Sequence, residues 1–104
     1  MAQLVWTEPA LIDLDEVAEY IALDNPSAAS NYVQKVFDRV ERLATYPNSG
    51  KRPEELHRTT YREVVVPPCR IFYRVEKSNV IILHVMRSER LLRPFLLDKR
   101  NKDE

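Results

Sequence analysis

The chain has 104 residues, of which 44% are hydrophobic and 31% charged, and its 16 basic and 16 acidic side chains leave no net charge. This composition is typical of a globular protein and excludes a disordered chain. No apolar run approaches the about 18 residues that a membrane-spanning helix needs. The length predicts one domain over residues 1–104.

Two further features of the sequence indicate the cellular compartment of the protein. Acidic side chains interrupt residues 1–20, so we expect no signal peptide and no membrane partner. Cys69 is the only cysteine, which excludes an internal disulfide and a zinc site built from cysteines. Both observations fit a reducing cytoplasm.

A short strand and a first helix are predicted at the start of the chain. Residues 3–6 alternate polar and apolar side chains, which is typical of a strand, and Trp6 is expected in the core. Thr7 is a suitable N-cap, and Pro9 fits the first turn of a helix. Apolar side chains then recur every three to four residues, which predicts an amphipathic helix to about Leu23.

A second helix follows almost at once, because Asn25 and Pro26 repeat the pattern of a cap followed by proline. Its apolar positions continue to Ala44, and Pro47 ends it. Two helices with so short a link are expected to pack as an antiparallel hairpin. Gly50, the only glycine, lies in the next turn, where we expect a positive φ.

The apolar period changes to two after Arg58, which predicts three antiparallel strands at residues 61–66, 70–75 and 80–85. The last of these is apolar on both faces and is expected in the centre of the sheet. Ser88 is predicted to cap a short helix through about Leu97. Residues 98–104 are expected to form a frayed, charged tail.

This order of elements predicts an α+β fold with an N-terminal strand, an antiparallel helix hairpin, a three-stranded antiparallel meander and a short C-terminal helix. The helices should cover one face of the sheet and leave the other to solvent or a partner. Residues 1–56 carry five basic and ten acidic side chains, a net charge of −5, and residues 57–104 carry eleven and six, a net charge of +5. The basic half is expected to attract an anionic partner.

Several segments share order and spacing with a known family. They are, along the chain, WTEPA at 6–10, YIA at 20–22, NPSAA at 25–29, PNSG at 47–50, YRE at 61–63, RIFYRV at 70–75 and ILHV at 82–85. Over residues 3 to about 93 the chain resembles the RelE/ParE superfamily, and its ParE-like branch in particular. The resemblance implies a bacterial toxin of a type II toxin–antitoxin pair, without a cofactor, that arrests growth and is neutralised by a ParD- or RelB-like antitoxin.

The superfamily has two mechanisms. RelE-like members cut messenger RNA on the ribosome, and ParE-like members poison DNA gyrase without chemistry of their own. The resemblance places Arg62, Arg70 and Arg87 around a scissile phosphate if the chain is a nuclease. However, Val64 replaces an expected lysine, Pro94-Phe95 replaces the expected tyrosine region, and arginines are poor proton acceptors. These departures favour a gyrase binder, with a ribosome-dependent endoribonuclease as the alternative and a non-toxic interaction module as a third class.

Five arginines are the predicted partner-binding residues. Arg70 and Arg74 share one face of a strand, and Arg87, Arg90 and Arg93 recur at a spacing that would form a basic ridge on a helix. A merely solvated surface is the alternative for both groups.

Four other residues have structural interpretations. His84 and Tyr73 are expected to be core residues, Cys69 a small packed side chain, and His57 part of a surface loop. Two histidines without a cysteine pair give no recognisable ligand spacing, so no metal site is predicted.

Overall fold

The computed structural model describes residues 1–56 and 58–103, so His57 and Glu104 lie outside the described residues. The predicted order of strand, helix hairpin, three-stranded meander and C-terminal helix is confirmed. The elements are β1 (Gln3–Trp6), α1 (Glu8–Ala22), α2 (Pro26–Glu41), a 3₁₀ turn (Arg42–Ala44), β2 (Arg62–Val66), β3 (Cys69–Glu76), β4 (Asn79–Arg87) and α3 (Pro94–Asp103). No helix in these ranges is long and apolar enough to cross a membrane.

The four described strands form one sheet in the order β1-β4-β3-β2. The last three form the predicted antiparallel meander, and β1 pairs in parallel with β4, with Gln3 opposite Asn79. This parallel pairing requires a crossover, which the helix hairpin provides. The predicted central position of β4 is therefore confirmed.

The two predicted caps position the hairpin on one face of the sheet. The Thr7 hydroxyl accepts a hydrogen bond from the Ala10 amide, and the Asn25 side chain accepts one from the Ala28 amide. Both helices then pack their apolar stripes against alternate residues of the strands, and Trp6 packs against Phe37 at the margin of this core. The fully buried side chains of this face are Ala10, Val36, Val40, Leu43, Cys69, Ile71, Tyr73, Val80 and Ile82.

The other face of the sheet is not left open, so that expectation was wrong. Phe72 and Leu83 on this face belong to a second buried cluster, which Leu92 and Leu97 complete. The Tyr61 hydroxyl donates to the Asp98 carboxylate at 2.7 Å. Burial, together with this carboxylate, raises the pKa of Tyr61 to about 12. The C-terminal segment therefore covers part of the second face.

The last helix differs from its prediction in both position and length. Residues 88–90 form a turn and a bend, and the helix begins only at Pro94. The reason is that proline disfavours helical backbone at the residue before it but fits the first helical turn. Residues 98–103 are helical instead of frayed, because Asp98 accepts a hydrogen bond from Tyr61 and Arg100 donates to Leu83 of β4 and to Asp13 of α1.

Gly50 also differs from expectation, since no glycine in the described part of the chain has a positive φ. The requirement for glycine is steric. A Cβ on Gly50 would lie 2.5 Å from the Tyr73 hydroxyl and 2.8 Å from the Glu63 carbonyl oxygen. The close approach lets the Gly50 amide donate to the Tyr73 hydroxyl, which itself donates to the Pro47 carbonyl.

Gly50→Ala is therefore expected to lower the free energy of unfolding by about 1–3 kcal/mol, the usual cost of overpacking. Urea unfolding of the variant beside the wild type measures this. Ser49→Ala, at the exposed neighbouring position, is the control and should change little. A Gly50→Ala variant as stable as wild type would mean that the Tyr73 ring and the β2 backbone move apart without cost.

Candidate partner-binding groove

A groove of about 860 Å³ runs between α1 and the second half of β4. Residues 89–91 and 93, with the start of α3, form its other wall. We call it the α1–β4 groove. Its lining residues are Asp13, Glu16, Val17, Tyr20, His84, Val85, Met86, Arg87, Glu89, Arg90, Leu91, Arg93 and Leu96.

The groove exists because β1 is shorter than β4. The parallel pairing ends where Trp6 lies opposite Ile82, and beyond this point side chains bond to the free edge of β4. The Asp13 carboxylate accepts a hydrogen bond from the Val85 amide at 3.0 Å, and Arg100 donates to the Leu83 carbonyl at 2.9 Å. These side chains satisfy backbone groups that a further strand would otherwise pair.

A polar cluster of Asp13, His84 and Arg100 forms the floor of the groove. The Asp13 Oδ2 atom lies 2.7 Å from His84 Nδ1 and 2.5 Å from Arg100 Nη1. His84 is buried and stacks on Phe72, with ring centroids 5.7 Å apart, so its predicted core position is confirmed. Burial alone would raise the pKa of Asp13, but the hydrogen bonds with His84 and Arg100 outweigh burial and lower it.

Three arginines lie along the rim of the groove. The Arg87 Nε atom donates to the Glu89 carboxylate at 2.6 Å. Arg90 and Arg93 are exposed, and no ion pair joins either of them to another described side chain. The two side chains are thus placed to meet acidic groups of another molecule.

Apolar side chains lie beside these cations. Tyr20 is 65% exposed and Leu91 80% exposed, and Val17 and Leu96 line the groove between its walls. The Arg87 guanidinium lies 5.5 Å from the centroid of the Tyr20 ring. Exposed aromatic and aliphatic groups within a basic rim are typical of a surface that binds another protein.

The sequence of this chain matches, over residues 4–92, the family described as the ParE toxin of the type II toxin–antitoxin system, parDE. The chain belongs to this ParE toxin family. The RelE/ParE-like fold expected from the sequence is confirmed, and the chain is a toxin of the type II class.

Curated relatives share most of their length with this ParE-family chain. Toxin RelE2 of Caulobacter vibrioides is 39% identical over 92 residues, which cover 88% of this chain and 100% of the relative. The putative toxin Y4kP of Sinorhizobium fredii is 43% identical over 78% of this chain and 82% of its own length. Toxin ParE3 of Caulobacter vibrioides is 30% identical over 83% and 86% respectively.

Solved structures show the same architecture. A chain of the chromosomal ParDE system from P. aeruginosa superposes with a TM-score of 0.72 at 29% identity, covering 86% of this chain and 98% of that one. A chain of the toxin–antitoxin complex RelBE2 from Mycobacterium tuberculosis shares the fold, with a TM-score of 0.52 at 19% identity over 83% and 96%.

The predicted partner-binding arginines fall into two groups in this ParE-family structure. Arg87, Arg90 and Arg93 do line one groove. The predicted helical ridge is wrong, however, because Arg87 ends β4 and the other two lie in the non-helical segment before Pro94.

Arg70 lies elsewhere, on the face of the sheet that α3 partly covers, and its side chain is only 12% exposed. It donates to both oxygens of Glu55 at 2.7 Å and to Glu63 at 2.7 Å. Its guanidinium also lies 4.9 Å from the centroid of the Phe72 ring. The Glu55 carboxylate, with Glu63, raises the pKa of Arg70 above its ordinary value. The alternative of a merely solvated arginine is therefore wrong for this residue.

The other two arginines singled out in the sequence, Arg74 and Arg62, form contacts with residues of the same chain. Arg74 is paired with Glu76 at 2.5 Å, and Arg62 donates to the Gly50 carbonyl at 2.8 Å. Arg62 and Arg87 lie opposite Tyr73 and Cys69, whose side chains face the helices, whereas Arg70 faces the other way. The three arginines named for the nuclease alternative thus do not surround one cavity.

Sequence reasoning missed two residues of the floor. In the sequence Asp13 is only one of the acidic side chains within residues 1–20, and Arg100 falls in the segment that was expected to be frayed. Only the free edge of β4 brings them together, and nothing in the local sequence indicates that edge. The predicted packing of Cys69 is confirmed, since it is fully buried, and burial raises the pKa of its thiol. No group of three or more histidine, cysteine, aspartate or glutamate side chains suited to a metal occurs within residues 1–56 and 58–103.

Asp13→Asn is expected to lower the free energy of unfolding at pH 7 by about 1.5–3 kcal/mol, the usual contribution of hydrogen bonds to a charged group. The folded pKa of Asp13 is below its ordinary value of 3.8, so the carboxylate stabilises the fold above that pH. This contribution is lost as the pH falls through the folded pKa. Denaturant titrations of wild type and variant down to acid pH measure the difference.

The difference between the two proteins should therefore shrink below about pH 4. Asp15→Asn, at an exposed position of the same helix, is the matched control and should leave stability nearly unchanged. A difference that stays constant into the acid range would show that the charge of Asp13 contributes nothing.

Proposed function

We propose that this toxin arrests bacterial growth in the cytoplasm by binding and poisoning DNA gyrase. A cognate antitoxin of the ParD or RelB type neutralises it. The family match over residues 4–92 to a ParE toxin supports this choice of target.

The observation that carries the proposal is the position of Arg70. A nuclease needs a cation free to stabilise the pentavalent phosphate, with an acid and a base beside it. Arg70 is instead neutralised by Glu55 and Glu63 and faces away from Arg62 and Arg87. A ribosome-dependent endoribonuclease remains the second candidate, and it requires these ion pairs to open.

The antitoxin is assigned to the α1–β4 groove on the chemistry of its rim. A segment with acidic side chains reaches Arg90 and Arg93, and apolar side chains between them cover Tyr20 and Leu91. Gyrase is assigned to the same arginines. Neutralisation then follows by competition, because a groove filled by antitoxin presents no basic rim.

The target is tested with the purified toxin in two assays. We expect it to block supercoiling by gyrase and to accumulate cleaved DNA, while primer extension on a translated message shows no new cuts. Arg90→Ala should weaken the effect on gyrase about tenfold, the loss usual for a hot-spot residue.

Lys102→Ala is the matched control, since it removes an exposed cation from α3 outside the groove. It should leave inhibition unchanged. Toxin-dependent cuts in the message with normal supercoiling would replace the proposal by the nuclease alternative. Arg70→Ala should then reduce cutting by a factor of about 10² or more.

The antitoxin assignment is tested through growth and through salt. Expression of the toxin alone should arrest growth, and co-expression with the antitoxin should restore it. The association rate of the purified pair should fall steeply as salt rises, because rim charges act on encounter. Replacing Arg90 and Arg93 by Ala should flatten this dependence. An association rate that does not change with ionic strength would show that Arg90 and Arg93 do not contribute to recognition of the antitoxin.

A further inference from the structure

A second groove lies on the opposite side of the molecule, between α2 and the outer edge of β2. It has a volume of about 470 Å³ and none of its lining residues belongs to the α1–β4 groove. We call it the α2–β2 groove. It is lined by Asn31, Gln34, Lys35, Asp38, Arg39, Arg42, Val65, Val66 and Pro67.

The backbone of β2 is open along this groove. The strand stands at the end of the sheet, and outside β3 its only pairing among the described residues is a bridge between Lys51 and Glu63. There the Lys51 amide donates to the Glu63 carbonyl at 3.0 Å, and the Glu63 amide donates back at 2.7 Å. Both backbone groups of Glu63 therefore point away from β3.

The direction of the next groups follows from the strand period of two. In an antiparallel pair, residues alternate between bonding to the neighbouring strand and pointing outward. Val65 consequently points its N–H and C=O outward, as Glu63 does, but no described residue bridges to it. Its side chain is 45% exposed. An unpaired donor and acceptor beside an exposed valine are the features to which an added strand binds.

The basic side chains that line the groove beside the edge of β2 indicate which kind of partner strand would bind there. Lys35 and Arg39 lie one helical turn apart on the face of α2 that lines the groove, and Arg42 continues this row at the start of the 3₁₀ turn. No ion pair joins them to another described side chain, and the one acid of the lining, Asp38, accepts a hydrogen bond from Gln34 at 2.9 Å. The groove thus has a net positive charge and complements an acidic partner.

The same charges argue against a second copy of this chain. Pairing of two β2 edges about a two-fold axis would place the two α2 helices side by side, with Arg39 and Arg42 facing their own copies. Like charges so close oppose association. A partner with acidic side chains meets no such penalty.

We propose that the α2–β2 groove binds an extended, acidic segment of a partner protein, which adds to the sheet as a strand beside β2. The segment exchanges main-chain hydrogen bonds with Val65, covers the exposed valine, and places carboxylates against Lys35, Arg39 and Arg42. This site is independent of what fills the α1–β4 groove.

A short fluorescent peptide of alternating valine and glutamate is the probe, and anisotropy measures its binding to the full chain. Val65→Pro removes the outward N–H but no bond to β3, because proline is tolerated on the solvent side of an edge strand. It should weaken binding about tenfold. Val65→Thr keeps the N–H and should bind as wild type does. Arg39→Glu should also weaken binding, whereas Lys102→Glu, outside the groove, should not.

Amide exchange gives a readout that does not depend on the variants folding. The Val65 amide should exchange rapidly in the free chain and become protected by the peptide, while the Val64 amide is protected in both states. A control peptide with proline in place of each valine keeps the charges but lacks the backbone N–H groups of the valines.

Three outcomes would overturn the proposal. Equal binding of the two peptides would mean that charge alone attracts them. A Val65 amide already protected in the free chain would mean that the edge is occupied. Sedimentation of the free chain as a dimer that Val65→Pro dissociates would assign the edge to a second copy.

Discussion

The free edge of β4 is the constraint on which the groove depends. A strand that continues past its neighbour leaves backbone donors and acceptors without partners, and burying them unpaired costs free energy. Here Asp13 and Arg100 bond to that edge, one from α1 and one from α3. Because the two side chains also pair with each other, they fix both helices relative to the sheet. The α1–β4 groove is the open space beside β4 that α1 and residues 89–96 enclose.

A second ion-pair network, centred on Arg70, closes part of the surface instead of leaving a groove. Arg70 is held by Glu55 from the segment after Gly50 and by Glu63 from β2. Breaking one partner of such a buried group is costly, because it leaves an uncompensated charge. The network keeps this segment on the sheet and removes a cation from the surface. Arg70 therefore adds little to the exposed basic charge of the C-terminal half, whereas Arg90 and Arg93 at the rim of the groove remain exposed.

Local signals in the sequence predicted the elements well. Thr7 and Asn25 mark helix starts by chemistry that acts within one turn, and the change of apolar period after Arg58 reflects the alternation of strand faces. The errors lie where distant segments meet. Pro94 begins the last helix instead of lying within it, and the stability of the end of this helix depends on Asp98 and Arg100 contacting residues far away in sequence. Gly50 was expected to adopt a positive φ, whereas glycine is required there because the Tyr73 side chain approaches too closely to leave room for a Cβ.

The groove residues follow the same rule. Arg87, Arg90 and Arg93 were recognised by type and grouping, and they do share a groove, but the ridge on which the grouping rested is absent. Asp13 resembled any exposed acid of an amphipathic helix. No pattern within α1 shows that the neighbouring part of β4 lacks a paired strand.

The parallel pairing of β1 with β4 also has a consequence during synthesis. The Thr7 hydroxyl donates to the Ile82 carbonyl across 75 residues of sequence, so β1 cannot enter the sheet until β4 has been made. Contacts between residues this distant in sequence form slowly, because the intervening chain must first lose conformational entropy. Arg100 comes later still, and with it the floor of the groove. A growing chain on the ribosome consequently lacks the complete groove, and only the finished polypeptide presents it to a partner or a target.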